Sequence, residues 1–148
     1  MNSNRQSLAN SASARQLAAA YAVALVVMGL LDALWLGAVA RGFYAEQMGA
    51  LMTDSIRTVP ALLFYLLYPL AIVGLALTPV PATRHLAALR SAALGLTAYG
   101  VYDLSNLATL RGWSVPLTLV DMAWGTVATG VAGALAYRWA LAKPGVNV

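Results

Sequence analysis

The chain has 148 residues, of which 61% are hydrophobic and 9% are charged, with a net charge of +4. Soluble domains carry about 25% charged residues, so this chain cannot cover a water-facing surface, and its composition predicts one domain in a lipid bilayer. The basic residues are spread over the ends of apolar runs, which excludes the clustered basic face of a nucleic-acid-binding protein. With no cysteine and a single histidine, His85, we expect no disulfide, no covalent haem and no iron–sulfur cluster.

The first 40 residues divide into a polar segment and an apolar one. Residues 1–16 are rich in Ser, Asn and Ala, which predicts a disordered cytoplasmic tail. The next run predicts a helix over 17–40. This run is longer than the apolar part of a signal peptide and contains Asp32, so we interpret it as a retained membrane span.

The connecting segment 41–58 differs from its neighbours in pattern. Apolar residues recur at i, i+4, i+7 and i+8, at Tyr44, Met48, Leu51 and Met52. This spacing predicts a short amphipathic helix lying in the membrane interface. The alternative is a lid over a site between the helices.

Three further apolar runs predict helices over 59–77, 86–107 and 115–141. Each is close to the length of about 20 residues that crosses a bilayer. Together with the first helix they predict an all-α membrane protein, residues 17–142, with four transmembrane helices in an antiparallel bundle. A short interfacial amphipathic helix joins helices 1 and 2, and residues 143–148 form a C-terminal tail.

The basic residues predict the orientation. One side of the predicted bundle carries Arg5, Arg15, Arg84, Arg90, Arg138 and Lys143, and the other carries Arg41, Arg57 and Arg111. Because basic residues accumulate on the cytoplasmic side, both termini are expected in the cytoplasm. The expected location is the bacterial inner membrane.

Three aspartates, Asp32, Asp103 and Asp121, interrupt the apolar helices. At 1.5 Å per residue, each lies roughly 12–14 Å below the outer boundary of the predicted bundle. Ionisable groups in hydrocarbon are costly and usually face the bundle interior. The three carboxylates therefore predict a polar site inside the protein.

Neighbouring residues extend this predicted site. Tyr99 and Asn106 share a helix face with Asp103, and the pattern Asp-x-x-Trp occurs at Asp32 and at Asp121. An indole offers an N–H donor to a carboxylate and a ring face that attracts cations. The predicted ligand-binding set is Asp32, Trp35, Tyr99, Asp103, Asn106, Asp121 and Trp124.

Small residues recur at a spacing of four beside the aspartates. In helix 4 they are Gly125, Thr129 and Gly133, and a looser stripe in helix 3 comprises Ala88, Ala92 and Gly95. Such stripes let helices approach closely. Asp121, at the head of its stripe, is therefore expected to face a neighbouring helix. The aspartates themselves could also be polar contacts between helices, with no ligand.

Three ionised carboxylates cannot coexist in a low dielectric without partners. Protons are shared, a cation binds, or water reaches the site. Arg41 and Arg111, on the outer side, are the candidate counter-ions. Asp32, Asp103 and Asp121 are also candidate ligands for a hard divalent metal ion.

The segments "LDALWLG", "YDLSN" and "VDMAWGT" resemble an uncharacterised bacterial family of small inner-membrane proteins, domain of unknown function 2177. The resemblance runs from helix 1 to helix 4. It implies a four-helix integral membrane protein and no particular activity. It supports treating one group of residues as a set: Asp32, Trp35, Asp103, Asn106, Asp121 and Trp124.

Three functions remain open at this point. The first, which we favour, is binding or translocation of a proton, a cation or a small cationic molecule. The second is a membrane-embedded enzyme acting on a lipid or isoprenoid, with aspartates as acid and base. The third is a structural or assembly subunit, in a homo-oligomer or larger complex, which small-residue stripes left exposed after packing would favour. The expected partners are the lipid bilayer and a small cationic ligand or lipid, with no nucleic acid.

Overall fold

A computed structural model describes residues 12–53 and 55–142, and all regular secondary structure in this part of the chain is helical, as predicted. Its α-helices are α1 (Ala14–Leu34), α2 (Arg41–Met48), α3 (Thr58–Ala71), α4 (Arg84–Thr109) and α5 (Val115–Ala136). Turns of π-helix continue α1, α3 and α5 over Trp35–Val39, Ile72–Ala76 and Tyr137–Leu141. A 3₁₀ turn, Gly49–Leu51, follows α2.

Side-chain caps fix the starts of three helices. Ser13 and Gln16 form a reciprocal capping box, so α1 begins at Ala14, inside the segment predicted to be a disordered tail. The sequence prediction overlooked this Ser-x-x-Gln signal. Thr83 and Ser114 accept hydrogen bonds from backbone N–H groups at the starts of α4 and α5. The rest of the two predicted tails, residues 1–11 and 143–148, lies outside the described residues.

Three of the four predicted spans meet the length and hydropathy of a membrane-crossing helix. They are Ala14–Val39, Thr58–Ala76 and Val115–Leu141. The remaining helix, α4, has 26 residues. It is therefore about 39 Å long, which exceeds the thickness of the hydrocarbon core. Because it contains Arg84, Arg90 and Asp103 among other polar residues, it falls outside that group.

Small residues hold α4 against α5. A Cβ atom on Gly95 would overlap the Gly125 carbonyl and Thr129, and one on Gly133 would overlap Ser91. Gly130 lies against Ala92. The two predicted stripes therefore face each other inside the chain, and we call this contact the glycine seam.

The remaining helices surround α5. It lies between α1 and α4, and α3 packs on α1. Met28, Ile72 and Leu77 are fully buried in the apolar core. The outer face of α3, by contrast, exposes a row of leucines that includes Leu62 and Leu70. An apolar core inside an apolar exterior is what a bilayer environment allows.

Candidate functional site

The short helix α2 covers one end of the helix bundle. It forms within the segment predicted to be amphipathic, and its buried residue is Tyr44. Tyr44 packs with Ala40, Trp113 and Leu117 in a small apolar cluster that is separate from the main core. The apolar face of α2 thus turns towards α5.

The Tyr44 hydroxyl joins two helices. It donates a hydrogen bond of 2.5 Å to Oδ1 of Asp121 and accepts one of 3.3 Å from the indole Nε1 of Trp35. Burial and the contact with the Asp121 carboxylate raise the pKa of Tyr44 above its ordinary value, so the hydroxyl keeps its proton. Tyr44 therefore acts as a donor to Asp121.

Trp35 and Trp124 carry the connection to the other side of the site. Their rings stack with centroids 4.4 Å apart and an interplanar angle of 4°. Trp124 donates a hydrogen bond of 3.0 Å from Nε1 to Oδ1 of Asp32, and Tyr65 lies beside the same carboxylate. Asp32 and Asp121 are thus linked through Trp124, Trp35 and Tyr44, a set of five residues that we call the aspartate network.

Asp103 lies close to this network but has a different environment. Its side chain is completely buried. Within the described part of the chain, neither carboxylate oxygen has a hydrogen-bond partner. Its charge and that of Asp121 are close enough to interact. Asp32 and Asp121 each have a hydrogen-bond donor, whereas Asp103 has an acidic neighbour.

Two other predicted site residues have structural neighbours. The Tyr99 ring occupies the space where a Gly125 side chain would be, and it meets Tyr68 edge to face at 6.1 Å. Asn106 lies beside Tyr102. The structure therefore places Tyr99 in the glycine seam, and it places Asn106 next to an exposed tyrosine rather than against Asp103.

A polar contact also attaches α2 to the start of α5. Ser114, the residue before α5, donates a hydrogen bond of 2.5 Å to the Gln47 side chain. Trp113, which packs with Tyr44, is itself held by a hydrogen bond of 3.1 Å from its indole to the Thr118 hydroxyl. The Ser114–Gln47 bond and this packing hold α2 at the position from which Tyr44 reaches Asp121.

The predicted counter-ions do not reach the carboxylates. Arg41 is the first residue of α2 and Arg111 follows α4, and both are exposed. Among the described residues neither arginine forms an ion pair with one of the three aspartates, so the structure does not support their role as counter-ions. Neutral donors, Tyr44 and Trp124, occupy the positions next to Asp121 and Asp32.

The three-aspartate metal site stays a prediction, and the described residues do not assemble it. Within residues 12–53 and 55–142, no three acidic or histidine side chains converge on one point. Asp32 connects to Asp121 through the stacked indole pair, and both Asp32 and Asp103 are close enough to interact with the charge of Asp121. Asp121 is thus the middle member of the three aspartates.

Sequence reasoning missed Tyr44 as a site residue. The pattern placed it on the apolar face of the predicted amphipathic helix, as a residue that contacts the membrane interface. A buried tyrosine hydroxyl usually needs a polar partner. This rule is the one sequence signal that could have placed Tyr44 in the polar site.

A family model described as a predicted membrane protein, DUF2177, matches residues 17–138. This range begins in α1 and ends in the π-helical turn Tyr137–Leu141. It includes every residue of the aspartate network and Asp103. No curated protein and no solved structure matches the chain.

Proposed function

This chain belongs to the DUF2177 family of predicted membrane proteins, and from that premise we propose that it binds or translocates a proton or small cation at Asp103 and Asp121. In this proposal α4 is a fourth span beside the three apolar ones. The termini are cytoplasmic, the membrane is the bacterial inner membrane, and α2 lies at its outer surface.

The burial of Asp103 carries the proposal. A carboxylate without donors in a low-dielectric interior is strongly unfavourable. Its neighbour Asp121 adds repulsion instead of relief. A proton on the carboxyl group or a cation beside it would satisfy this carboxylate, and we favour either over a bound water molecule because Asp121 adds a second negative charge.

The donor set favours a proton or a monovalent cation over a divalent one. Hard divalent ions take six or more oxygen ligands. The side chains whose charges interact with Asp103 include one carboxylate, Asp121, and two phenols, Tyr44 and Tyr102. A pair of carboxylates among neutral phenols suits a proton or a monovalent cation better than a divalent ion.

The glycine seam bears on the assembly alternative. A subunit that used its small-residue stripes to bind other chains would leave them open on its surface. Here Gly95, Gly125 and Gly133 are in contact within the chain. These closed glycine positions favour a site-based function, whereas Ala88 and Ala92 of the helix-3 stripe are only half-buried, and this is the part that an assembly function could use.

The test is the thermal stability of the detergent-purified protein at pH 5, 7 and 9, with Na⁺, K⁺, Mg²⁺ or tetraethylammonium at constant ionic strength. A ligand at about 100 times its dissociation constant stabilises the folded state by roughly 2.7 kcal/mol. A cation site predicts a midpoint that rises with one of these ions. A proton site predicts a midpoint that falls as pH rises.

Three variants make the result specific. Asp103→Asn is expected to abolish the response while keeping the midpoint at or above its original value, because it removes an unpaired charge. Asp121→Asn should weaken the response. Glu46→Gln, on the exposed side of α2, is the matched charge control and should behave as the wild type.

If Asp103→Asn keeps the wild-type response, the site is not at Asp103. Loss of stability in both aspartate variants, with no response in the wild type, would identify the aspartates as polar contacts only.

A further inference from the structure

A second feature lies away from the aspartates, on the outer surface between α4 and α5. It is a groove of about 340 Å³. Its floor consists of small residues from both helices, namely Ala88, Ala92, Gly130 and Ala134. Larger apolar side chains, including Leu89 and Val131, form its rims. The groove is the outer side of the glycine seam, where two close helices have little side-chain volume.

The groove is polar at one end only. Arg84 and His85, both exposed in the first turn of α4, line that end. Thr126 lines the other end, but its hydroxyl donates a 2.7 Å hydrogen bond to the Met122 carbonyl and is already satisfied. The lining of the groove thus changes from basic to apolar along the helices.

The length of the groove matches one membrane leaflet. From Arg84 to Ala92 the helix rises about 12 Å. One leaflet of hydrocarbon is about 15 Å thick, half of the bilayer core. The basic end lies beside the turn that precedes α4, where the Tyr137 hydroxyl contacts the Ala82 carbonyl. Arg138, also exposed at this end of the molecule, does not line the groove.

We propose that this groove binds an anionic phospholipid, with its phosphate at Arg84 and His85 and one acyl chain lying along the small-residue floor towards the bilayer centre. The basic end complements the phosphate charge, and the apolar rims complement the chain. The site shares no residue with Asp103 or the aspartate network. It rests on the proposal that α4 crosses the membrane and is independent of what the carboxylates bind.

The experiment is native mass spectrometry of the detergent-purified protein titrated with phosphatidylglycerol, phosphatidylcholine or inorganic phosphate. We expect one phosphatidylglycerol to bind more tightly than phosphatidylcholine. A basic residue near a membrane surface contributes about 1 kcal/mol, or roughly fivefold in affinity for an anionic lipid. The double variant Arg84→Gln/His85→Gln should therefore lose about fivefold or more of this preference. Arg138→Gln, at the same end of the molecule, should keep it.

A second pair of variants tests the acyl-chain part. Val131→Trp places a large ring over the groove from its rim, outside the contact between the helices, and should reduce binding of both lipids. Val101→Trp, on an exposed part of α4 outside the groove, should have no effect.

Four results would overturn the proposal. Equal binding of the two lipids would remove the headgroup part, and equal effects of Arg138→Gln and the double variant would indicate general interfacial charge. Inorganic phosphate that competes fully with the lipid would mean that the groove holds no chain. A dimer that Val131→Trp dissociates would identify a second copy of this protein as the occupant. Failure of the aspartate variants to change cation response would leave these lipid results unaffected, so the two proposals fail separately.

Discussion

The glycine seam and the aspartate network are two solutions to the same problem of holding helices together in an apolar environment. In the seam, small residues bring the backbones of α4 and α5 into direct contact. In the network, large aromatic side chains span the distance between helices and end in hydrogen bonds to carboxylates. The seam has little space in which to rearrange. The network can change when a proton or a hydrogen bond moves, so we expect it to be the functional part.

The largest expected effect comes from filling the seam. Gly125→Leu would place a side chain where the Tyr99 ring lies. Overpacking of this kind typically costs up to about 3 kcal/mol of unfolding free energy, and sometimes more. The measurement is the unfolding free energy in mixed micelles, with thermal stability as a second readout.

The matched control is Gly29→Ala, also in a helix but with no atom near the added Cβ. It should be neutral or stabilising by up to about 1 kcal/mol, since alanine favours the helix. Similar losses in both variants would mean that the seam is not closely packed.

A smaller effect is expected from cutting the network at its centre. Tyr44→Phe removes the hydroxyl that bonds Asp121 and Trp35 but keeps the ring in its apolar cluster. The loss leaves a carboxylate oxygen without its donor, which costs about 1–3 kcal/mol. It should also change the pH or cation response, which a seam variant with the same loss of stability should not do.

Phe43→Leu, next to Tyr44 on α2 and half-buried, controls for packing alone. A Tyr44→Phe protein with unchanged stability and response would separate α2 from the site.

The smallest effect is expected from the exposed arginines. Arg41→Gln and Arg111→Gln should each change stability by less than about 0.5 kcal/mol, because both side chains are exposed and neither is bonded to Asp32, Asp103 or Asp121. Thermal stability at low and moderate salt is sufficient to check this. A loss of more than about 1 kcal/mol that disappears in high salt would restore the counter-ion interpretation.

Much of the fold could be predicted from the sequence because its signals are local. Apolar runs predicted the positions of the helices, and small residues four apart predicted the two faces of the glycine seam. The limits of α1 were less accurate because the cap at Ser13 lies in a segment with the composition of a tail. The fourth span stays a prediction, since α4 has the length of a span but mixes polar and apolar residues.

Four predicted site residues, Asp32, Trp35, Asp121 and Trp124, lie in the aspartate network, but their pairing differs from the one that the sequence indicated. The Asp-x-x-Trp pattern suggested that each tryptophan serves the aspartate in its own helix. In the structure the partners come from different helices, because Trp124 of α5 bonds Asp32 of α1. Trp35 of α1 reaches Asp121 of α5 through Tyr44. Spacing along a helix defines a face, whereas tertiary packing decides which residue across the interface that face meets.

The parallel stacking of Trp35 on Trp124 also gives the protein an optical signal from its own site. Two indoles 4.4 Å apart share excitation, so they contribute a coupled signal to near-ultraviolet circular dichroism and alter each other's fluorescence. The remaining tryptophans of the chain lie elsewhere, with Trp113 buried under α2 and Trp139 exposed near the end of α5. Because each stacked ring is hydrogen-bonded towards a different aspartate, a rearrangement at either carboxylate will disturb the coupling. The site can therefore be followed in the unlabelled protein.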